Sequence, residues 1–265
     1  MHQLLSFITW SVEPEIIKIG SFALRWYGLL FATAFYAGFI IMTKIFKEEK
    51  VPLTELDSLV MYMVIGTVLG ARLGHCFFYD FDYYTSHPLE IIKIWEGGLA
   101  SHGAAIGILI SMYIYTKKIS TKSFLWTADR IVITVALAAF FIRMGNLMNS
   151  EIIGHPTTLP WAFIFTRIDD LPRHPTQLYE GISYVFIFVV LYRIYWKEKG
   201  NLGEGKLFGL FLICLFSVRF FVEFLKENQS EFENGMFLNM GQLLSLPLII
   251  TGAYFYKKSL NKQVN

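Results

Sequence analysis

The chain has 265 residues, of which 54% are hydrophobic, 17% are aromatic and only 17% are charged. Soluble domains carry nearer a quarter charged residues, so this composition excludes an ordinary soluble domain and indicates an integral membrane protein. The formal net charge is only +2 and no basic block is present, which excludes a typical nucleic-acid-binding surface.

Seven apolar runs approach the roughly 20 residues that a helix needs to cross a bilayer. They predict an all-α integral membrane protein with seven transmembrane helices in a single membrane domain, residues 1–265. The predicted spans, in chain order, are 22–43, 58–79, 99–116, 124–145, 181–197, 207–225 and 238–256. The outer connectors are 80–98, 146–180 and 226–237.

The placement of lysine and arginine predicts the orientation of these spans. The connectors after the first, third and fifth runs, together with the C-terminal tail, hold 13 of these residues, whereas the opposite side holds five. We therefore expect an outward N-terminus and a cytoplasmic C-terminus. The polar, glycine-rich and histidine-bearing connectors then fall on the outward side, which predicts a polar, outward-facing active site.

Several predicted spans contain ionisable side chains, each of which costs about 2.5–3.5 kcal/mol at the bilayer centre. Arg143 and Arg219 both lie toward the outward ends of their runs, so together they predict an anion site at the depth of lipid phosphates. For Arg219 the alternative is an intrahelical ion pair with Glu223, four residues later. The small residues beside Arg72, Gly70 and Gly74 among them, predict a close approach of two helices.

The stretch 141–154 places an arginine, two asparagines and a glutamate close together. In a helix, Arg143 and Asn146 share one face, where a guanidinium fork and an amide suit the oxygens of a phosphate. The alternative is a helix end with a snorkelling arginine and capping amides. His102, next to Gly103 at the mouth of the third run, suits a proton acceptor but also a helix cap. No other histidine shows ligand spacing with it, so no metal site is predicted.

At these residues the chain resembles the prolipoprotein diacylglyceryl transferase family, whose signature has the form G-R-x-G-N-F-x-N-x-E-x-x-G. Here the signature spans Ile142 to Gly154, with Ile142 replacing the first glycine and Leu147 the phenylalanine. A further departure is Leu215, where the family often carries a tyrosine implicated in activity. The other matching segments, in the family's order, are Gly70-Ala71-Arg72-Leu73-Gly74, Trp95-Glu96-Gly97-Gly98, His102-Gly103, Arg173-His174-Pro175-Thr176-Gln177-Leu178-Tyr179-Glu180, Arg219 with Val222-Glu223-Phe224, and Met240-Gly241-Gln242.

The resemblance implies a transferase of the bacterial inner membrane that needs no cofactor. It would move the diacylglyceryl group of phosphatidylglycerol onto the lipobox cysteine of a preprolipoprotein signal peptide, forming a thioether and releasing glycerol-1-phosphate. We expect it to work as a monomer among membrane lipids, without nucleic acid. The implied catalytic residues are His102, Arg143 and Arg219. The implied headgroup-binding residues are Tyr27, Arg143, Asn146, Asn149, Glu151, Gly154 and Glu223.

Two questions stay open at the level of sequence. The first is the general base, which is either His102 or Glu151.

The second question is the class of function. The buried charges also fit a small transporter, although no internal repeat is visible and the polar motifs gather at one face instead of the midplane. A metal-dependent phosphatidyl transferase is a nearer rival, but no helix carries the spaced aspartates that such an enzyme uses.

Overall fold

The computed structural model describes residues 7–20, 22–94, 97–228, 233 and 235–261, and most of them are helical. The strands are β1 (Ile8–Trp10), β2 (Glu15–Ile19), β3 (Phe22–Arg25), β4 (Phe163–Phe165) and β5 (Pro172–Arg173). The helices are α1 (Trp26–Glu48), α2 (Leu53–Phe78), α3 (Phe81–Ser86), α4 (Ser101–Lys118), α5 (Phe124–Met148), α6 (Thr176–Glu198), α7 (Lys206–Glu223) and α8 (Met240–Asn261). The chain divides into two compact units. The smaller unit is Met42–Thr127, and the larger unit combines Met1–Ile41 with Ala128–Asn265.

In the smaller unit, α2 and α4 approach each other through facing small residues. A Cβ atom added at Gly74 would lie 2.6 Å from the Cα of Gly103, and one at Gly107 would lie 2.8 Å from the Cα of Gly70. Glycines four residues apart on both helices therefore bring the two backbones into contact. This confirms the close approach predicted from the small residues around Arg72.

Arg72 is 3% exposed and holds the connector that follows α2 against this helix. Its guanidinium donates to the carbonyl oxygens of Glu90 (2.6 Å), Ile91 (2.9 Å) and Gly97 (2.6 Å). The buried positive charge is thus satisfied by backbone oxygens, which gives this arginine a structural role. The Trp95-Glu96 part of the same connector lies outside the described residues.

In the larger unit, α7 and α8 also pack through glycine, since a Cβ at Gly209 would lie 2.6 Å from the carbonyl oxygen of Gly252. Asp129 on α5 caps the start of α7. Its carboxylate accepts the backbone N–H groups of Gly205 (2.7 Å) and Phe208 (2.8 Å). A carboxylate satisfies free N–H groups at a helix N-terminus and is stabilised by the helix dipole, so this ionisable residue also has a structural role.

All seven predicted apolar runs overlap long helices, but the first begins later than predicted. Residues 22–25 form β3, which pairs with β2 around the turn at Gly20 (φ +61°). Arg25 therefore lies in an exposed hairpin outside the first helix, 3.6 Å from Glu15. Four helices, α1, α2, α5 and α6, are long and apolar enough to cross a membrane among the described residues. The other three long helices do not meet these limits; α7, for example, has only 18 residues and three of them are charged, Lys206, Arg219 and Glu223.

The segment after α5 carries a small sheet that the sequence did not predict. Strand β4 pairs in parallel with β1 and antiparallel with β5. The Trp10 indole donates to the Leu147 carbonyl oxygen at 3.0 Å, and its ring packs beside Phe163. This sheet and its apolar contacts anchor the segment 149–175 to the C-terminal end of α5.

Candidate active site

The site is built where α5 ends. The Ser150 N–H donates to the Leu147 carbonyl (3.0 Å) and the Glu151 N–H donates to the Asn146 carbonyl (2.9 Å). These two bonds form a Schellman motif, in which Ser150 takes the left-handed conformation (φ +55°) that glycine usually fills. The helix end thereby turns the backbone so that Glu151 is placed beside the last turn of α5.

Side chains of the signature form one hydrogen-bonded network. Arg143 Nη1 donates to Asn146 Oδ1 at 3.0 Å, as the spacing of three residues predicts. Asn146 Nδ2 donates to Glu151 Oε2 at 3.2 Å, and Asn149 Nδ2 donates to Glu151 Oε1 at 3.1 Å. Asn146 therefore connects the guanidinium to the carboxylate, and the capping interpretation of these amides is wrong because their partner is a side chain.

A cluster of buried charges lies behind Arg143. Glu180 on α6 is fully buried, and its Oε2 lies 2.6 Å from Arg143 Nε in an ion-pair contact that is not aligned as a hydrogen bond. Its Oε1 accepts hydrogen bonds from Lys226 Nζ (2.9 Å) and from the Tyr184 hydroxyl (3.2 Å). Lys226 also donates to Glu223 Oε2 at 3.0 Å. Two cations and two carboxylates thus compensate each other away from water, which is the condition for burying charge.

Arg219 does not pair with Glu223, so the alternative of an intrahelical ion pair is wrong. Glu223 turns to Lys226, and its carboxylate packs against Gly241, where an added Cβ would lie 2.5 Å from its carboxyl carbon. Arg219 has neither a hydrogen bond nor an ion pair to any described residue, although its positive charge acts on Glu180. It is therefore an additional positive charge beside a cluster that is already balanced.

Two glycines of the signature allow close packing. A Cβ at Gly145 would lie 2.6 Å from the Tyr27 ring, so the absence of a side chain lets α1 place that tyrosine against the last turns of α5. Gly154 is buried, and its N–H donates to the His174 carbonyl oxygen at 3.0 Å. A side chain at Gly154 would collide with His174 and with the Leu225 carbonyl oxygen. Tyr27 is thus close to the network, and Gly154 contributes through its backbone.

An open polar pocket of about 400 Å³ adjoins the network. Glu151 is exposed toward it although its backbone is held by the helix end. The charged and amide side chains that line the pocket are Glu13, Glu15, Arg25, Asn149, Glu151 and Arg167. A small polar group with hydroxyls and a phosphate would find both carboxylate acceptors and guanidinium donors here.

His102 lies in the smaller unit, on the first turn of α4. Its side chain is exposed, and its ring lies 5.2 Å from the Phe78 ring and 5.7 Å from the Tyr79 ring, centroid to centroid. No hydrogen bond joins its ring to a described residue. The imidazole is therefore accessible, as a proton acceptor must be.

The connector between α5 and α6 is held by Arg173, which is 6% exposed. Its Nε donates to Asp169 Oδ2 at 3.0 Å, and its Nη1 donates to Glu227 and to the Gly154 carbonyl oxygen. The hydrogen bond from Arg173 lowers the pKa of Asp169, and the same contacts raise the pKa of Arg173. Burial, together with nearby His155, lowers the pKa of His174.

Sequence reasoning assigned no role to three residues of the buried cluster: Glu180, Tyr184 and Lys226. Glu180 is the last residue of the family segment that begins at Arg173, and Tyr184 follows it four residues later. This helical spacing places both side chains on one face of α6 and could have predicted that they lie together. Tyr184 also brings a hydroxyl into the cluster, whereas Leu215 brings none. Lys226 follows Glu223 by three residues, which was a second signal.

The comparisons with known proteins agree on one family. The family described as prolipoprotein diacylglyceryl transferase matches residues 14–257. A phosphatidylglycerol–prolipoprotein diacylglyceryl transferase of Chloroherpeton thalassium is 48% identical over 257 residues, covering 97% of this chain and 96% of that one. Proteins of the same name from Tolumonas auensis (47% identical, 92% and 94% covered) and Bacteroides fragilis (43% identical, 96% of each covered) are also similar.

Proposed function

Because this chain belongs to the prolipoprotein diacylglyceryl transferase family, we propose that it transfers the sn-1,2-diacylglyceryl group of phosphatidylglycerol to the lipobox cysteine of preprolipoproteins. A carbon–sulfur bond forms, the bond between the glycerol carbon and the phosphate oxygen breaks, and glycerol-1-phosphate leaves. This is the first step of bacterial lipoprotein maturation. The observation that carries the proposal is the connected network of Arg143, Asn146 and Glu151 at the end of α5.

Arg143 and Arg219 are the groups that hold the lipid phosphate. The contacts of Arg143 with Glu180 and Asn146 leave further N–H donors of its guanidinium for phosphate oxygens. Arg219 adds a positive charge without a carboxylate partner among the described residues. Fixed cations in a site of low dielectric stabilise the charge that develops on the leaving phosphate. Glu223 contributes through Lys226, which it shares with Glu180.

The glycerol headgroup is proposed to bind beside Glu151. Its hydroxyls can donate to the carboxylate, while Asn149 and Asn146 orient that carboxylate from the other side. Tyr27 offers a phenol against the same end of α5, and Gly154 supplies the close backbone packing that keeps this segment in place. The open polar pocket has room for the headgroup.

The lipobox thiol must lose its proton before its sulfur attacks carbon. We assign the proton-accepting step to His102, whose imidazole is accessible on the first turn of α4. Glu151 is the alternative base. Replacing each by glutamine and comparing turnover with headgroup affinity separates the two assignments, because only the base should lose turnover more than affinity.

For the membrane we propose that α4, α7 and α8 span the bilayer together with α1, α2, α5 and α6, giving seven spans in one domain of residues 1–265. The enriched lysines and arginines of the inner connectors then place the C-terminus in the cytoplasm and the N-terminus outside the inner membrane. Charged groups of α7 become tolerable in a span because Glu223 is paired within the protein. The enzyme is proposed to act as a monomer without cofactor.

The decisive experiment uses the purified protein in detergent with phosphatidylglycerol and a synthetic lipobox peptide, followed by the mass of the peptide. We expect a diacylglyceryl mass gain on the cysteine peptide and none on a matched peptide in which serine replaces cysteine. A folded protein that modifies neither peptide contradicts the proposal. Electrogenic uptake in proteoliposomes would then favour a transporter, and loss of transfer in EDTA would favour a metal-dependent enzyme.

A further inference from the structure

The turn that presents Glu151 contains an unusual backbone conformation. The residues on either side of Glu151, Ser150 and Ile152, have positive φ angles of +55° and +58°. Ser150 fills the position of the Schellman motif where a left-handed residue is common. Ile152 has no such motif to support it, and a β-branched residue in this region is a genuine outlier. Conformations of this kind persist only when the surrounding structure holds them.

Two side chains from the first turn of α6 hold this strained turn. Gln177 Nε2 donates to the Glu151 carbonyl oxygen at 2.6 Å, and Thr176 Oγ1 donates to the Ile152 carbonyl oxygen at 2.8 Å. Both residues are fully buried, so water does not compete for these carbonyls. The carbonyl groups of Glu151 and Ile152 are therefore both held by the N-terminal end of α6.

The next turn of the same helix also fixes Arg143. Glu180 lies four residues after Thr176, on the same face of α6, and makes the ion-pair contact with Arg143. We propose that Thr176 and Gln177 are positioning residues that hold the Glu151 turn in register with Arg143. This inference rests on the proposed function and extends it, because it names groups that touch neither substrate.

The physical reason lies in the contrast between backbone and side chain at Glu151. The carboxylate is exposed toward the polar pocket, whereas the carbonyl of the same residue is held by a buried amide. Without that amide, Ile152 can relax to an unstrained φ and carry the carboxylate away from Asn146. A misplacement of about 1 Å in an active site can cost on the order of 100-fold in rate.

The test uses Gln177→Met and Thr176→Val, which keep side-chain size and remove the donors. We expect kcat for diacylglyceryl transfer to fall at least about tenfold in each. The matched control is Thr127→Val, because Thr127 is also fully buried and also donates to a backbone carbonyl, that of Ser123 at 3.1 Å. The control should stay within about twofold of wild type.

A second substitution separates positioning from general stability. Glycine adopts positive φ without steric cost, so Ile152→Gly lets the turn form without being held. We expect Ile152→Gly to recover most of the transfer lost in Gln177→Met. Full activity of both Gln177→Met and Thr176→Val overturns the inference, and so does a loss that Ile152→Gly fails to recover.

Hydrogen exchange tests the same inference without any activity. The Glu151 amide donates to Asn146 and should exchange at least about tenfold faster in Gln177→Met or Thr176→Val than in wild type. An unchanged exchange rate overturns the inference. If wild type transfers no diacylglyceryl group, the proposed function fails, while the exchange measurement still decides whether Gln177 and Thr176 hold the turn.

Discussion

Replacing Glu180 by glutamine removes the carboxylate on which the buried cluster depends. Glu180 is fully buried and lies within 3 Å of two cations, Arg143 at 2.6 Å and Lys226 at 2.9 Å. Breaking a buried ion pair by removing one partner costs about 3–5 kcal/mol, since the remaining charge has neither water nor a counter-ion. Lys226 keeps Glu223 at 3.0 Å, so Arg143 bears most of the loss.

The expected consequence is a large fall in both stability and transfer. At roughly 2–4 °C per kcal/mol for chains of this size, the unfolding temperature in detergent should drop by about 6–20 °C. Transfer should fall at least about tenfold even at temperatures where the variant is folded, because Arg143 loses the contact that orients its guanidinium. Thermal unfolding and the peptide mass assay measure the two effects on the same preparation.

A double variant and a control show whether the reasoning is right. Glu180→Gln combined with Lys226→Met removes a cation together with the carboxylate, so it should recover about 0.5–3 kcal/mol relative to the sum of the single changes. Glu198→Gln breaks a partly exposed pair with Lys206 (2.7 Å) and should cost only about 0–1 kcal/mol. An unfolding temperature for Glu180→Gln equal to that of Glu198→Gln would refute the buried-cluster argument.

Three further predictions concern charge and protons. Arg143→Lys should lose at least about tenfold in transfer despite keeping its charge, because the planar fork is lost; full activity in the mass assay contradicts this. His102→Gln should lower turnover at neutral pH more than Glu151→Gln does, and near-normal turnover would move the base role to Glu151. The hydrogen bond from Arg173 lowers the pKa of Asp169 below its value in the unfolded chain, about 3.9. The Asp169–Arg173 pair therefore stabilises the folded protein fully above about pH 3.9, and this stabilisation is lost as the pH falls through the folded pKa of Asp169. Protease cleavage of segment 149–175 should therefore become faster below about pH 4. In Asp169→Asn, which lacks the carboxylate, cleavage should already be fast near pH 7. A cleavage rate that does not change with pH contradicts this prediction.

Local patterns in the sequence predicted much of this structure. Each of the seven apolar runs overlaps a long helix, because burial of apolar side chains and backbone hydrogen bonding both favour helices in such runs. The contact between Arg143 and Asn146 follows from their spacing. The hairpin at Phe22–Arg25 was missed because its apolar residues continue directly into α1, and composition alone does not distinguish a strand from a helix in a short run.

The remaining features depend on partners that are distant in the chain. Helical spacing allows Arg219 to reach Glu223, yet Lys226 and the close approach of Gly241 draw that carboxylate elsewhere. The link between Glu180 and Lys226 joins residues 46 positions apart, and no periodic pattern contains such a pair. The strained φ at Ile152 was equally hidden, because a left-handed residue is expected at glycine or asparagine and not at isoleucine.

The N-terminal end of α6 explains why these long-range features occur together. Its residues reach the helix end of α5 at two levels: side-chain donors hold the backbone around Glu151, and a carboxylate holds Arg143. If Arg143 binds the phosphate and Glu151 the headgroup, as proposed, the site gains precision when one rigid element positions both. The strained turn is then a consequence of that arrangement. In our proposal, Glu151 faces the pocket because Gln177 holds the Glu151 carbonyl and Thr176 holds the Ile152 carbonyl.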